Sequence, residues 1–212
     1  LMPAMKAVAE YFGDDIHEGD VIYHNDPVYQ GSHILDCCMY KPVFYHGELV
    51  FWAVCKGHVT DIGGPVPAGY NPDAKEIYAE GLRIPPVKLF TKGVLNRDLI
   101  EILSANSRVP LSNYGDLNGQ LNALDLGERR LAEVLDSYGD ATVAAAFDAF
   151  SARAEAMMRS AIEALPDGVY SFEDYLDNDG ITPDRLVIAL DLTIRGDEMV
   201  LVGNFFGKPE EM

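Results

Sequence analysis

The stretch Cys37-Cys38-Met39-Tyr40-Lys41-Pro42-Val43-Phe44-Tyr45-His46-Gly47-Glu48-Leu49-Val50-Phe51-Trp52-Ala53-Val54-Cys55-Lys56 organises its surroundings. Two apolar runs flank His46-Gly47, and a two-residue loop with glycine second fits a type I′ hairpin. The second run, Leu49 to Val54, is apolar at every position, so it reads as a strand buried on both faces. Pro42 has no N–H to give to a ladder, which puts the first strand at an edge or at a bulge.

This hairpin decides which residues meet at its open end. Closing the loop at His46-Gly47 pairs Tyr45 with Glu48, and the same register sets Cys38 opposite Cys55 and Asp36 opposite Gly57. With strands roughly 4.8 Å apart, His33, Asp36, His58 and Asp61 gather at one end despite their separation in the chain. Strict alternation places Asp36 and His58 on opposite faces. A shared site therefore needs a bulge, or a turn in place of strand at 33–36, and Gly31 and Gly57 permit either. Imidazole and carboxylate are the usual ligands of zinc, manganese and iron. Spacing alone leaves two readings: a divalent metal site, or a hydrogen-bonded His–Asp cluster tying loops together.

Upstream, residues 3–12 put Met5, Val8, Ala9 and Phe12 on one helical face, with Pro3 suited to a first turn. A short strand, Val21-Ile22-Tyr23, leads into a turn at Asn25-Asp26-Pro27. His17, His24 and His46 read as turn or strand residues. Downstream, Pro65, Pro67, Pro72, Pro85 and Pro86 mark a long ordered loop region around a short helical piece at 73–80. Asn96 caps a helix running to about Ser104.

Leu117, Leu121, Leu124, Leu131, Leu135 and Tyr138 form a stripe over 111–138, and Val143, Phe147, Phe150, Met157, Ala161 and Leu165 form another over 140–165. Together they read as an antiparallel helix pair joined at Gly139, a core or subunit contact rather than a cofactor site. Past Pro166-Asp167-Gly168 the period becomes that of strands: Val169 to Phe172, then Leu186 to Ile194 and Met199 to Val202 around Gly196-Asp197. Asp177-Asn178-Asp179-Gly180 starts like a calcium loop but lacks the closing glutamate, so it reads as a solvated turn. The expected fold is mixed α/β, an α+β arrangement of an antiparallel hairpin-containing sheet, a proline-rich loop region and a long helix pair. Residues 1–165 form the metal-site domain, and 166–212 begin a further β-rich one.

The chain has 212 residues and a formal charge of -18, with 16 basic against 34 acidic side chains. Such a surface repels nucleic acid and anionic membranes. No apolar run reaches the roughly 18 to 20 residues that span a bilayer, and Glu10 interrupts the apolar N-terminal stretch too early for a signal peptide. Three cysteines, Cys37, Cys38 and Cys55, lie inside apolar strands and read as free thiols of a reducing, cytoplasmic compartment. There is no G-x-S-x-G, H-E-x-x-H, dinucleotide-binding glycine pattern or phosphate-binding G-x-x-x-x-G-K-[ST]. A reaction needing ATP must draw it from another polypeptide. Leu1 at the start and the strand broken off at Phe205-Phe206-Gly207-Lys208-Pro209 read as the ends of a fragment.

Several motifs together resemble the hydantoinase B / 5-oxoprolinase family. They are Gly19-Asp20-Val21, Asn25-Asp26-Pro27, Gly31-Ser32-His33 with Asp36, Gly57-His58, Asp61-Ile62-Gly63-Gly64, Glu80-Gly81-Leu82-Arg83-Ile84-Pro85-Pro86, and Gly115-Asp116-Leu117 with Gln120. The resemblance runs over essentially the whole chain, which matches the N-terminal-to-middle portion of longer members. It implies a metal held by His33, Asp36 and His58, with a further aspartate ligand upstream of residue 1. Two departures stand out: His58-Val59 where members often have adjacent histidines, and Gln30-Gly31-Ser32-His33 where they have Gly-Gly before Thr-His.

The function the resemblance implies is a subunit of an ATP-dependent cyclic amidase in a hetero-oligomer. A hydantoinase A-like partner, carrying ATP and Mg, phosphorylates the amide oxygen of a hydantoin, oxoproline or lactam. The zinc, manganese or iron of this chain then activates the water that hydrolyses it. Asp61 and Asp26 are the candidates for proton transfer or for orienting a ligating histidine. Arg83 is the candidate for holding a substrate carboxylate or phosphate, against a surface ion pair. Two other functions compete: a subunit of a ketone carboxylase of the acetone or acetophenone type, and a non-catalytic scaffold.

Overall fold

The hairpin of the opening stretch is the spine of a five-stranded antiparallel sheet in this computed structural model, which describes residues 1–69 and 71–205. β1 is Val21–His24, β2 Asp36–Tyr45, β3 Glu48–His58, β4 Val87–Thr91 and β5 Val94–Leu95, in the spatial order β3-β2-β1-β4-β5. His46 and Gly47 have φ of 53° and 85°, so both turn residues are left-handed, as a type I′ turn requires. The fold class is mixed α/β, as expected.

The order of strands corrects one expectation. β3 is the edge strand, and most of its residues are half-buried rather than enclosed on both faces. It is β2, flanked by β1 and β3, that is buried on both sides. Alternate residues of β1 and β2 divide between two cores. Val21, Tyr23, Cys37 and Met39 join Leu89 and residues of the helices α2 (Arg97–Ala105) and α3 (Pro110–Tyr138) on one face. Ile22, Cys38 and Tyr40 pack against Ala4 and Val8 of α1 (Met2–Phe12) on the other. Pro42 lies beyond the residues that β1 pairs and beside a bulge, where its missing N–H breaks no ladder.

That bulge sits between Val43 and Phe44 and leaves Val50 without an opposite residue. Near the turn the register is the expected one, with Tyr45 opposite Glu48, but beyond the bulge it slips by one. Cys38 faces Lys56, Cys37 faces Gly57 and Asp36 faces His58 directly. One unpaired residue thus turns every side chain of the distal β3 to the other face.

α3 lies along β2. Gln120 Nε2 donates to the Cys37 carbonyl, Lys41 pairs with Asp125 and Glu128 at 2.7 and 2.6 Å, and Tyr45 Oη donates to Asp136 at 2.9 Å. Helix from 120 to 136 and strand from 37 to 45 each cover about 25 Å, so the contacts stay in step. Leu117 and Leu124 of the predicted stripe are buried in the core under the sheet. Asn96 caps α2 through Leu99 N–H, as expected.

Two compact units divide the chain, Leu1–Ser137 and Tyr138–Met212. The division falls at the start of α4 (Asp140–Glu163), whereas the change of sequence period falls at its end, near 165. The two long helices therefore fall in different units. In the second unit β6 (Gly168–Leu176), β7 (Leu186–Arg195) and β8 (Glu198–Phe205) form a three-stranded antiparallel meander. Arg159 of α4 pairs with Asp197 in its β7–β8 turn at 3.3 Å. The stretch Asp177 to Gly180 is an exposed turn closed by its own side chains. Among the described residues no helix is long and apolar enough to cross a membrane. The expected strand break at 206–209 lies outside the described residues.

Candidate metal centre

The slipped register brings Asp36 and His58 together. His58 Nδ1 lies 2.9 Å from Asp36 Oδ1 across the β2–β3 ladder. His33 comes from the tight turn that opens β2, closed by Asp36 N–H donating to the His33 carbonyl at 3.0 Å. Its Nδ1 is 3.4 Å from Asp36 Oδ2. One donor atom from each of His33, Asp36 and His58 fits within 4.8 Å of the others. Two imidazoles and one carboxylate at that separation are a donor set for zinc, manganese or iron. The three residues singled out in the sequence thus do converge.

Two groups not foreseen complete the cluster. Ser32 Oγ donates to Asp36 Oδ2 at 2.6 Å, and Lys56 Nζ lies 2.9 Å from the same oxygen while also donating to Ser32 Oγ. Burial alone pushes the Asp36 carboxyl up. Hydrogen bonds from Ser32, His58 and Lys56 and the Lys56 charge outweigh it and hold the carboxyl well below the usual range. Lys56 carried a signal: two residues before His58 on one strand, it must share that residue's face.

The other expected site residues have different settings. Asp61 is buried, and its carboxylate accepts from Arg108 N–H at 2.6 Å and from Arg108 Nη1 at 2.7 Å. Arg108 Nη2 continues to the Gly64 carbonyl at 2.6 Å, so one planar guanidinium clamps the loop after His58 to the start of α3. Burial raises the Asp61 carboxyl, but the Arg108 hydrogen bonds and charge bring it below its ordinary value. Asp26 caps the short turn Pro27–Tyr29 through Val28 N–H at 3.0 Å and lies 3.4 Å from Arg83 Nε. Arg83, half-exposed, also rests over the Tyr78 ring. Asp61, Asp26 and Arg83 are thus paired away from the His33–Asp36–His58 cluster.

Asn25, part of the expected Asn25-Asp26-Pro27 turn, holds loops together as well. Fully buried, it donates to the Ile34 carbonyl at 2.7 Å and to the Leu82 carbonyl at 2.9 Å, and accepts from Ile84 N–H at 2.7 Å. It fastens the loop that carries His33 to the loop at 82–84. Gly57 has an equally specific reason. A Cβ there would overlap Gln120 Nε2, so the missing side chain makes room for the glutamine that reaches from α3 to the strand beside His58. Gly64, with φ of 80°, lets that loop press against residues 79–81, and Leu82 N–H donates to the Ile62 carbonyl at 2.8 Å.

A cavity of about 330 Å³ opens on the centre, lined by His33, His58, Leu35, Asn71, Pro72 and Glu80. Its size suits a small organic molecule.

Comparison with known proteins places the chain in a family. The Hydantoinase B/oxoprolinase family model matches residues 1–211. The beta subunit of the caprolactamase from Pseudomonas jessenii is 60% identical over 198 residues, which are 93% of this chain and 34% of that protein. The B-type subunit of a putative D-/L-hydantoinase from Pseudomonas sp. (strain NS671) is 37% identical over 196 residues, 91% of this chain and 33% of that one. The crystal structure of the ATP-dependent caprolactamase from Pseudomonas jessenii superposes with a TM-score of 0.89 at 56% identity, over 96% of this chain and 35% of that one. The chain spans about a third of the length of the curated relatives it matches.

Proposed function

Because the chain belongs to the hydantoinase B/oxoprolinase family, we propose that it is part of the metal-bearing subunit of an ATP-dependent cyclic amidase. The observation that carries this reading is the convergence of His33, Asp36 and His58 beside a cavity of about 330 Å³. Likeness to a caprolactamase subunit and to a hydantoinase subunit points to a cyclic amide as substrate. ATP and Mg would be bound by a second, hydantoinase A-like subunit, which phosphorylates the amide oxygen. Cys37, Cys38 and Cys55 are free thiols, which fits a cytoplasmic enzyme.

His33, Asp36 and His58 would hold a zinc, manganese or iron ion. When bound, such an ion supplies Lewis-acid chemistry, polarising a carbonyl or acidifying water toward a pKa of about 7. The chain's own residues do the rest. Ser32 and Lys56 orient the Asp36 carboxylate and keep it ionised. The Arg108–Asp61 clamp and the Asn25 bonds hold the flanking loops, so the donors are fixed before substrate arrives. Asp26 and Asp61, paired with Arg83 and Arg108, serve by holding the flanking loops rather than by moving a proton.

Metal analysis of the assembled enzyme tests the reading. Stoichiometric zinc, manganese or iron is expected, lost in His58→Ala and Asp36→Ala along with ATP-dependent lactam hydrolysis. An active wild-type assembly without metal would overturn the site. Carboxylation of a ketone with ATP and bicarbonate, without lactam hydrolysis, would assign the chain to a carboxylase instead.

A further inference from the structure

Glu80 is the one carboxylate among the described residues that line the cavity shared by His33 and His58. It lies outside the three-residue donor cluster, and no hydrogen bond or ion pair engages its side chain among the described residues. Its position is built rather than incidental. Its N–H closes on the Ile77 carbonyl at 3.1 Å, and Leu82 N–H is bonded to the Ile62 carbonyl at 2.8 Å. Asn25 ties Leu82 to Ile34, so one buried amide fastens the Glu80 loop to the His33 loop. Asn71, also on the cavity, has its Oδ1 occupied by Asp73 N–H at 3.1 Å, so its NH₂ group is what it offers a ligand.

Among the described residues the cavity therefore presents a metal-ligand cluster, an anionic acceptor with no protein partner and an amide donor. In a small ring the amide is held cis, so its C=O and N–H project from a single edge. A carboxylate accepts the N–H, while the C=O is left for the metal side. We propose that Glu80 accepts the ring N–H of the cyclic amide and is a specificity-determining residue that selects an unsubstituted ring nitrogen. The inference rests on the cyclic-amidase reading of the same cavity. A charged acceptor left unpaired in a half-closed site rejects the analogue that lacks the donor.

The test uses the complete enzyme assembly carrying Glu80→Gln or Glu80→Ala, with metal content and steady-state kinetics on a lactam and on its N-methyl analogue. Expected are unchanged metal content, a fall of about 10–100-fold in kcat/KM for the N–H lactam, seen mainly in KM, and little change for the N-methyl lactam. Discrimination between the two substrates then shrinks. An equal fall on both substrates, or no fall on either, overturns the role of Glu80 and leaves the amidase reading standing. Loss of metal in Glu80→Gln overturns it too, by making Glu80 a ligand. A wild-type assembly that hydrolyses neither lactam overturns the amidase reading and this inference with it.

Discussion

Asp36 and His58 face one another directly across two antiparallel strands, 2.9 Å apart, because Val50 drops out of the ladder at the far end of the hairpin. Lys56 shares their face and places its ammonium 2.9 Å from the same carboxylate. A resident cation and an incoming divalent ion compete for Asp36. Lys56→Met is expected to tighten metal binding by up to about fivefold, the worth of a partly exposed ion pair. Chelator-competition titration of the variant reads this. A lower melting temperature with no metal bound by either protein would mean that the cluster serves only to tie loops.

Gly57→Ala pushes a methyl group into the space that Gln120 Nε2 occupies. Overpacking of this kind destabilises by about 1–3 kcal/mol. Gln120→Ala removes the obstacle, so the double variant is expected to lose less stability than the two single changes added together. Urea midpoints for the four proteins measure the coupling. Strict additivity would show that α3 yields freely at this point.

Asn25→Ala leaves two carbonyls and one N–H without their buried partner. At about 1–3 kcal/mol for an orphaned group, a loss of several kcal/mol is expected. Asn25→Asp keeps the acceptor for Ile84 N–H but turns an anion toward the Ile34 and Leu82 carbonyls, so it is expected to be no better tolerated. Because both loops bound the cavity, each change should also weaken metal binding about 10–100-fold in whatever protein remains folded. Calorimetry and metal titration separate the two effects.

His24 is fully buried, bonded through Nε2 to Tyr40 Oη at 3.0 Å, with no partner for Nδ1. Burial pushes it down from its ordinary 6.5 to about 4, against the opposing charge of Asp26. Above pH 6.5 neither the folded nor the unfolded form binds this proton. Between pH 6.5 and about 4 the unfolded chain binds it and the folded one does not, so stability falls with acid, by about 3 kcal/mol at the limit. Asp36, held low when folded, loses its contribution in the same direction but below about pH 4. His24→Gln should flatten the urea midpoint between pH 6.5 and 4 and leave the lower limb in place. A wild-type midpoint constant over that window would contradict the assignment.

Local patterns carried far in this chain. The type I′ turn at His46-Gly47, the cap at Asn96, the α3 stripe and the strand period after Gly168 depend on dihedral preference and periodicity, which neighbouring residues settle among themselves. Pairings between distant loops left no such trace. Asn25 is bonded to residues 9, 57 and 59 positions away, and Arg108 reaches Asp61 across 47. The double burial expected of β3 failed because apolar composition does not say which strand takes the centre of a sheet.

The sequence by itself determined the hairpin, the residue types that suit a divalent ion, and the end of the hairpin at which they collect. It also showed that those residues stood on opposite faces in the simplest register. The tertiary structure decided the rest: a single bulge at Val50 puts Asp36 and His58 on one face, and the Gln120 side chain of α3 occupies the space that Gly57 leaves. Register has a period of two, so one residue reverses a face, and which register wins depends on how the whole sheet packs.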